Sequence, residues 1–419
     1  MSDAVATADP ADPAGPAGPA TSAPPIDPPA TARGRRPAVL RLLGGAAGTV
    51  VLLALPLYVD SFWLDTGFAI FAAVIGAVGL TMLVGTTGQL SLAHAFFLAV
   101  GALTYTYVSG SPGGVSKPYG GWELPPLVGM VAGIGVAGLA GLLVSPMAAR
   151  LRGIYLGIAT LGLVFIGEHI FNTWTSVSGG FNGRLVPAFE LFGFSFAGNE
   201  GPYLEVLGVP FGRSERLWYL GLVLCVAACW FAHNLLRSRP GRALQMVRDS
   251  EVAGSVIGID IQDYKAKVFL VSSMYAGLAG VLFALSIGSI APETFSLRLS
   301  VLYLAMVVLG GLGSVRGAVL GAVFVTALPL VFQEYAASLP FIVEPGEPGI
   351  IASQAAAFLF GLAIILVVLF EPGGLVGLAH RLRHPRGRRP TGTHPGGGSH
   401  RAENPPSASA DPSPGGNPT

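Results

Sequence analysis

RSRPGRALQMVRDSEVAGSVIGIDIQDYKAK, Arg237–Lys267, lies between two apolar runs, 217–236 and 267–288, each long enough to cross a bilayer. Spans on both sides of one charged loop decide the class: an all-α integral membrane protein. The loop itself has more structure than a connector requires. It carries six Lys/Arg in 31 residues. Ser238 and Pro240 suit the first turn of a helix, and Gly258 suits its end. Asp260 then caps the helix that enters the membrane from about Tyr264. The segment reads as a short cytoplasmic helix built to touch another protein.

Composition agrees with that class. Charged residues make up 11% of the 419, against about 25% in an average soluble domain. Hydrophobic residues make up 52%, and the mean hydropathy is +0.63. A net charge of +1 gives no ground for a nucleic-acid partner. Residues 1–37 are Ala/Pro-rich and 379–419 are basic and Pro/Gly-rich, with no periodic apolar residues to bury, so both are expected to be disordered. No basic start runs directly into an apolar core, so the first span is expected to be an uncleaved anchor. Cys225 and Cys229, four apart in an apolar run, read as small filler.

Between the tails, 38–378 is expected to form one transmembrane domain. At roughly 20 apolar residues per span, the expected spans are 38–59, 66–85, 90–108, 125–148, 154–174, 217–236, 267–288, 299–313, 317–334 and 349–370. The pairs 66–85/90–108 and 299–313/317–334 are joined by very short Gly-rich links, so one member of each is expected to be short, kinked or re-entrant. With the N-terminus inside, 19 of the 24 Lys/Arg fall on inner segments and five (Lys117, Arg184, Arg213, Arg216, Arg298) on outer ones. That asymmetry predicts both termini in the cytoplasm, and Trp63, Trp122, Trp174 and Trp218 then fall at outer boundaries. An outer loop, 175–216, is far longer than the rest. Its glycine turn, Gly179, Gly180, Asn182 and Gly183, is a candidate for docking or gating.

No catalytic constellation is present. GxxxxGK[ST], CxxC, HExxH and GxSxG are all absent. The chain is not expected to be an enzyme or to bind a cofactor or metal, and any ATP hydrolysis that drives it belongs to another subunit. Polar residues inside spans are few and therefore informative. Gln89, Ser91 and His94 lie where one span ends and the next begins, as path-lining groups or as partners for freed backbone groups. Glu168 and His169, in the outer third of their span, are candidates for the path or a gate. The small residues of GGLGSVRGAVLGA, Gly310–Ala322, are spaced for close approach of helix backbones.

Several segments, taken in order, resemble the M-type permease subunit of branched-chain amino acid ABC importers. LVGTTGQLSLAHAFFLAVGAL is similar to that family's LxGxxGQxSxGHAxFxxIGAY. LRGIYLGIATLGLVFIGEHIFNTWTSVSGGFNG, the Arg237–Lys267 loop with its following span, MVVLGGLGSVRGAVLGA and LFEPGGLVGL complete the pattern over about 50–378. Ala93, Leu103, Arg184 and Ala318 depart from it.

The resemblance implies a heteromeric importer in the plasma membrane of a bacterium. A second homologous permease completes the pore, ABC ATPase subunits sit at the cytoplasmic face with ATP bound there, and an extracytoplasmic substrate-binding protein delivers the cargo. It further implies that the helix bearing Arg242, Arg248, Asp249, Glu251 and Gly258 docks into the ATPase, as a loose Glu-Ala-Ala-x-x-x-Gly motif. Permeases for other amino acids, urea, amides or sugars are the neighbouring alternatives. An ion-coupled secondary transporter is a further one, which should show midplane carboxylates and repeated broken helices.

Overall fold

The computed structural model describes residues 48, 50–113, 119–151, 153–196, 204–206, 209–336, 342–343, 349–370 and 374–377. The chain divides at Tyr58 into two units. In the first, residues 50–54 are helical and pass into a 3-10 turn, Leu55–Leu57, closed by the Tyr58 N–H on the Leu55 carbonyl at 3.1 Å. The rest of the first expected span and both expected disordered tails lie outside the described residues, apart from 374–377, which border the second tail.

The second unit is a helical bundle. Its helices are α1 Ser61–Thr87, α2 His94–Ser109, α3 Pro126–Arg150, α4 Ile154–Thr173, α5 Arg213–Arg237, α6 Arg239–Asp249, α7 Glu251–Val256, α8 Ile261–Ile287, α9 Leu297–Gly310, α10 Val315–Ala336 and α11 Ala352–Phe370. Among the described residues, seven helices are long and apolar enough to cross a membrane, α9 counting with the 3-10 turn Pro292–Phe295 before it. The shorter α2 and α11 bring the number matching expected spans to nine of ten. The protein is a multi-pass membrane protein.

A helix apolar on every side belongs in the middle of such a bundle. In α1 and α8, 83% and 72% of the most apolar stretch is buried; in the other spanning helices the figure is 39% or less. Polar residues do not close this core: backbone does. The Cβ that a side chain would add at Gly101 of α2 points into the Gly277 backbone of α8, and one at Gly280 points into the Leu98 carbonyl. Gly133 of α3 meets the Gly101 carbonyl in the same way. Three helices thus touch main chain to main chain, the packing that small residues give in a membrane, where apolar burial offers no advantage over lipid. The Gly310–Ala322 segment does likewise: Gly310 and Gly317 abut across the α9–α10 turn, and Gly321 sits on the Met306 carbonyl.

Of the outcomes expected for the α1–α2 pair, a short member is the one found. α1 ends at Gly88 (φ 67°), and Gly88–Ala93 has no helix. At 1.5 Å per residue, the 16 residues of α2 reach about 24 Å, less than the roughly 30 Å hydrocarbon core. The non-helical segment supplies the difference. Side chains from two other helices take up N–H groups here: Thr160 of α4 accepts from Leu92 in the segment at 3.0 Å, and Ser300 of α9 accepts from Ala95 in the first turn of α2 at 2.9 Å.

At the end opposite the charged loop, short strands add to an otherwise helical chain. β1 (Arg184–Leu185) pairs antiparallel with β6 (Ser289–Ile290), Arg184 opposite Ile290. β2 (Glu190–Leu191) and β3 (Phe194–Ser195) form a hairpin, as do β4 (Leu204–Val206) and β5 (Val209–Phe211). β7 (Ile342–Val343) runs parallel to β8 (Ile350–Ile351).

Candidate functional site

The loop between α5 and α8 folds as two helices rather than the single one expected. Ser238 caps α6, its hydroxyl accepting from the Gly241 N–H at 3.5 Å. Ser250 then leaves helical geometry (φ −159°, ψ 113°) and caps α7, accepting from Ala253 at 3.2 Å. Serine competes for backbone hydrogen bonds and so favours such a break over a continuous helix. The other expected signals hold: Gly258, at φ 84°, follows the end of α7, and Asp260 Oδ1 accepts from Gln262 and Asp263 at the start of α8.

The charged residues of this loop divide by what they touch. Arg242 and Asp249 are exposed, the Arg242 guanidinium donating back to the Arg237 carbonyl at 2.9 Å. Arg248 is exposed as well, but its tip reaches back to the bundle. Its Nη1 donates to the Gly85 carbonyl in the last turn of α1 at 2.9 Å, and it lies near Gly88 and the Gly313 turn between α9 and α10. Glu251 is also engaged within the chain: Oε1 stands 2.7 Å from Nζ of Lys265 in α8. Lys265 is 2% exposed. α6 faces outward mainly with charged and polar side chains, whereas α7 and the residue after it expose apolar ones, Val252, Val256 and Ile257.

Gln89 and Ser91 lie in the non-helical segment and His94 opens α2 directly after it; all three are buried. Gln89 Nε2 donates to the Ala148 carbonyl of α3 at 3.0 Å, and Ser91 Oγ accepts from Ala93 at 3.4 Å. The His94 ring packs 4.8 Å from that of Tyr303 in α9. Gln89 Oε1 and His94 Nε2 have no hydrogen-bond partner among the described residues. The geometry here is that of a broken helix held by its neighbours. Glu168 and His169 are apart from this cluster, on α4: Glu168 is half-buried and His169 exposed, and only 28% of that helix's apolar stretch is covered by the chain itself.

The outer glycine turn is compact. Gly179, Gly180 and Gly183 all have positive φ, and a Cβ at Gly183 would meet the Ile290 carbonyl at 2.5 Å. Ser178 Oγ, buried beneath, accepts from the Gly180 N–H at 2.9 Å; Asn182 is exposed. The next residue fastens this turn. Arg184, 2% exposed, donates to the carbonyls of Val177 (2.6 Å) and Gly120 (3.1 Å) and lies 4.8 Å from the Tyr119 ring centroid. Burial draws its pKa below the usual guanidinium value, while the tyrosines oppose that shift. Beyond it, the β2–β3 hairpin carries Phe192, 96% exposed, on the rim of a basin of about 700 Å³ also lined by Glu123 and Glu190.

Sequence reasoning counted Arg184 and Lys265 only as charges on one side or the other; their burial is a property of the packed chain. Thr160 and Ser300 were missed, because one hydroxyl in an apolar run looks like filler.

The chain was compared with known proteins. It is 30% identical over 336 residues to the high-affinity branched-chain amino acid transport system permease protein LivM of Salmonella typhimurium, covering 78% of this chain and 73% of that one. The Escherichia coli protein of the same name is 29% identical over the same shares. The fructose import permease protein FrcC of Rhizobium meliloti is 25% identical over 78% of this chain and 86% of its own length. No solved structure gives a significant match. The model of the branched-chain amino acid transport system / permease component family matches residues 62–369, the whole of the helical bundle but for its outermost residues. The chain belongs to that family.

Proposed function

We propose that this chain is one of two homologous permeases lining the translocation path of an ATP-driven importer, and that its cargo is a branched-chain amino acid. The family match across the bundle carries the reading. The build of the charged loop supports it: two capped helices are fastened to α1 and α8, and α7 turns Val252 and Val256 outward beside the charged surface of α6. The orientation follows from the Lys/Arg asymmetry, with this loop and both termini in the cytoplasm of a bacterial cell. In that position α6 and α7 seat on an ABC ATPase subunit, which binds and hydrolyses the ATP. An extracytoplasmic binding protein docks at the opposite end, on the exposed Phe192 hairpin and its basin rather than on the glycine turn, whose Gly180 and Gly183 are buried. The thinly covered α4, with Glu168 and His169, faces the second permease and the path between them.

Specificity rests mainly with the binding protein, so the path itself needs only weak contacts. A sugar importer is the second reading, because fructose and ribose import permeases also match this chain. Their identities, 25% and 27%, are lower than those of the two LivM proteins. The test is uptake by proteoliposomes holding both permeases, the ATPase subunits and the binding protein. ATP-dependent accumulation of labelled leucine, isoleucine or valine, uncompeted by excess fructose or ribose, is expected. Accumulation of the sugars in their place would select the second reading.

A further inference from the structure

α7 is six residues long, and among its residues only Gly254 is buried. Hydrogen bonds at its two ends, from the Ala253 N–H to Ser250 Oγ and from the Ile259 N–H to the Gly254 carbonyl, shape it without tying it to the bundle. The tie is ionic: Lys265 Nζ to Glu251 Oε1 at 2.7 Å, with the lysine side chain 2% exposed and the glutamate's 25% exposed. Lys265 lies four residues into α8, on a helix whose later glycines press main chain to main chain against α2 and α3.

We propose that the Glu251–Lys265 pair is the positioning element that makes α7 and α8 move as one body. Through it a displacement of the loop reaches the backbone contacts of α2. The physical reason is the asymmetry of buried charge. A desolvated ammonium is tolerated while its carboxylate partner stays in place, and stranding it alone is costly. Any movement of α7 away from α8 would strand Lys265, so the two are held together more firmly than their small apolar contact would manage. Arg248 makes the matching tie from α6, but to the neutral Gly85 carbonyl at the end of α1. The loop is therefore joined to both central helices. Glu251 serves this chain's own α8 rather than the ATPase surface. The proposal rests on the importer reading only for the word transport; the tie itself is a property of this chain.

Two measurements test it. Hydrogen exchange on the purified full chain needs neither partner nor substrate. In Lys265→Met, amides 251–257 are expected to exchange at least about tenfold faster than in the wild type, with 270–285 unchanged and Lys265→Arg restoring protection. Unchanged exchange in 251–257 would overturn the tie, whatever the cargo proves to be. In the reconstituted transporter, Lys265→Met is expected to keep ATP hydrolysis while uptake per ATP falls about tenfold, with Lys265→Arg recovering most of it. Wild-type uptake per ATP in Lys265→Met would overturn the transmission. If Lys265→Met fails to accumulate, Glu251→Asp, which keeps the charge and shortens the reach by one methylene, is read in the same two assays by the same criteria. Failure of the wild type itself to transport would count against the importer reading, and the exchange result would still stand.

Discussion

Two buried cations, Lys265 and Arg184, show how one residue type does different work according to its partner. Lys265 is held by a carboxylate, whereas Arg184 has carbonyls and tyrosine rings around it. A guanidinium suits the second setting because its planar fork serves several acceptors at once and stacks on aromatic faces. Replacing Arg184 by Gln removes charge-assisted bonds worth about 1.5–3 kcal/mol each. The melting temperature of the purified chain is expected to fall by several degrees, with the 175–185 segment becoming protease-sensitive. An unchanged melting temperature would show that the turn is held by its glycines alone. Neither role was legible from the sequence, where Arg184 appeared as an outer-loop charge and Lys265 as one of six loop cations. Burial of a long cationic side chain is decided by what packs around its tip, and no spacing rule encodes that. Gln89, Ser91 and His94 were legible as a polar group at a helix break. The partners of Gln89 on α3 and of His94 on α9 were not.

At the scale of elements, apolar length and turn residues foretold most of the bundle. Nine expected spans meet a helix, and the short α2 stands where the GTTGQLSLAH link implied an interruption. The break within the loop at Ser250 was not foreseen, because a serine flanked by charged residues fits a helix surface as well as a cap. The strand pairing of Arg184–Leu185 with Ser289–Ile290 joins residues about a hundred apart, which local patterning cannot show. Glycine density was read correctly as close packing, but the sequence alone does not rank the glycines. The structure does. Gly280, pressed on the Leu98 carbonyl, has no room for a side chain, whereas Gly361 in α11 has nothing within 4 Å of its Cβ position. Gly280→Val is expected to destabilise by at least about 1–3 kcal/mol through overpacking, and Gly361→Ala to be neutral or slightly stabilising. Thermal unfolding of the two variants in detergent checks both, and equal effects would mean that the α2–α8 contact is not tight.

At the scale of the molecule, the two ends of the bundle are built for different purposes. One end is knit by β1–β6 pairing and the Arg184 turn into a firm rim around the base of an exposed hairpin. The other carries a two-helix loop tied to α1 by Arg248 and to α8 by Lys265, with Val252, Val256 and Ile257 turned outward. Exposed apolar residues on a charged loop are the mark of a surface that meets a partner. The proposed role of this loop is to seat the ATPase subunit that drives the permease. Co-purification of the ATPase with the chain carrying Val256→Asp tests it most directly. Val256 is 81% exposed, so an aspartate there should leave the fold and membrane level of the chain unchanged. Loss of the bound ATPase and of ATP-dependent uptake together is expected; a variant that retains both at wild-type levels would show that the ATPase does not seat on this loop.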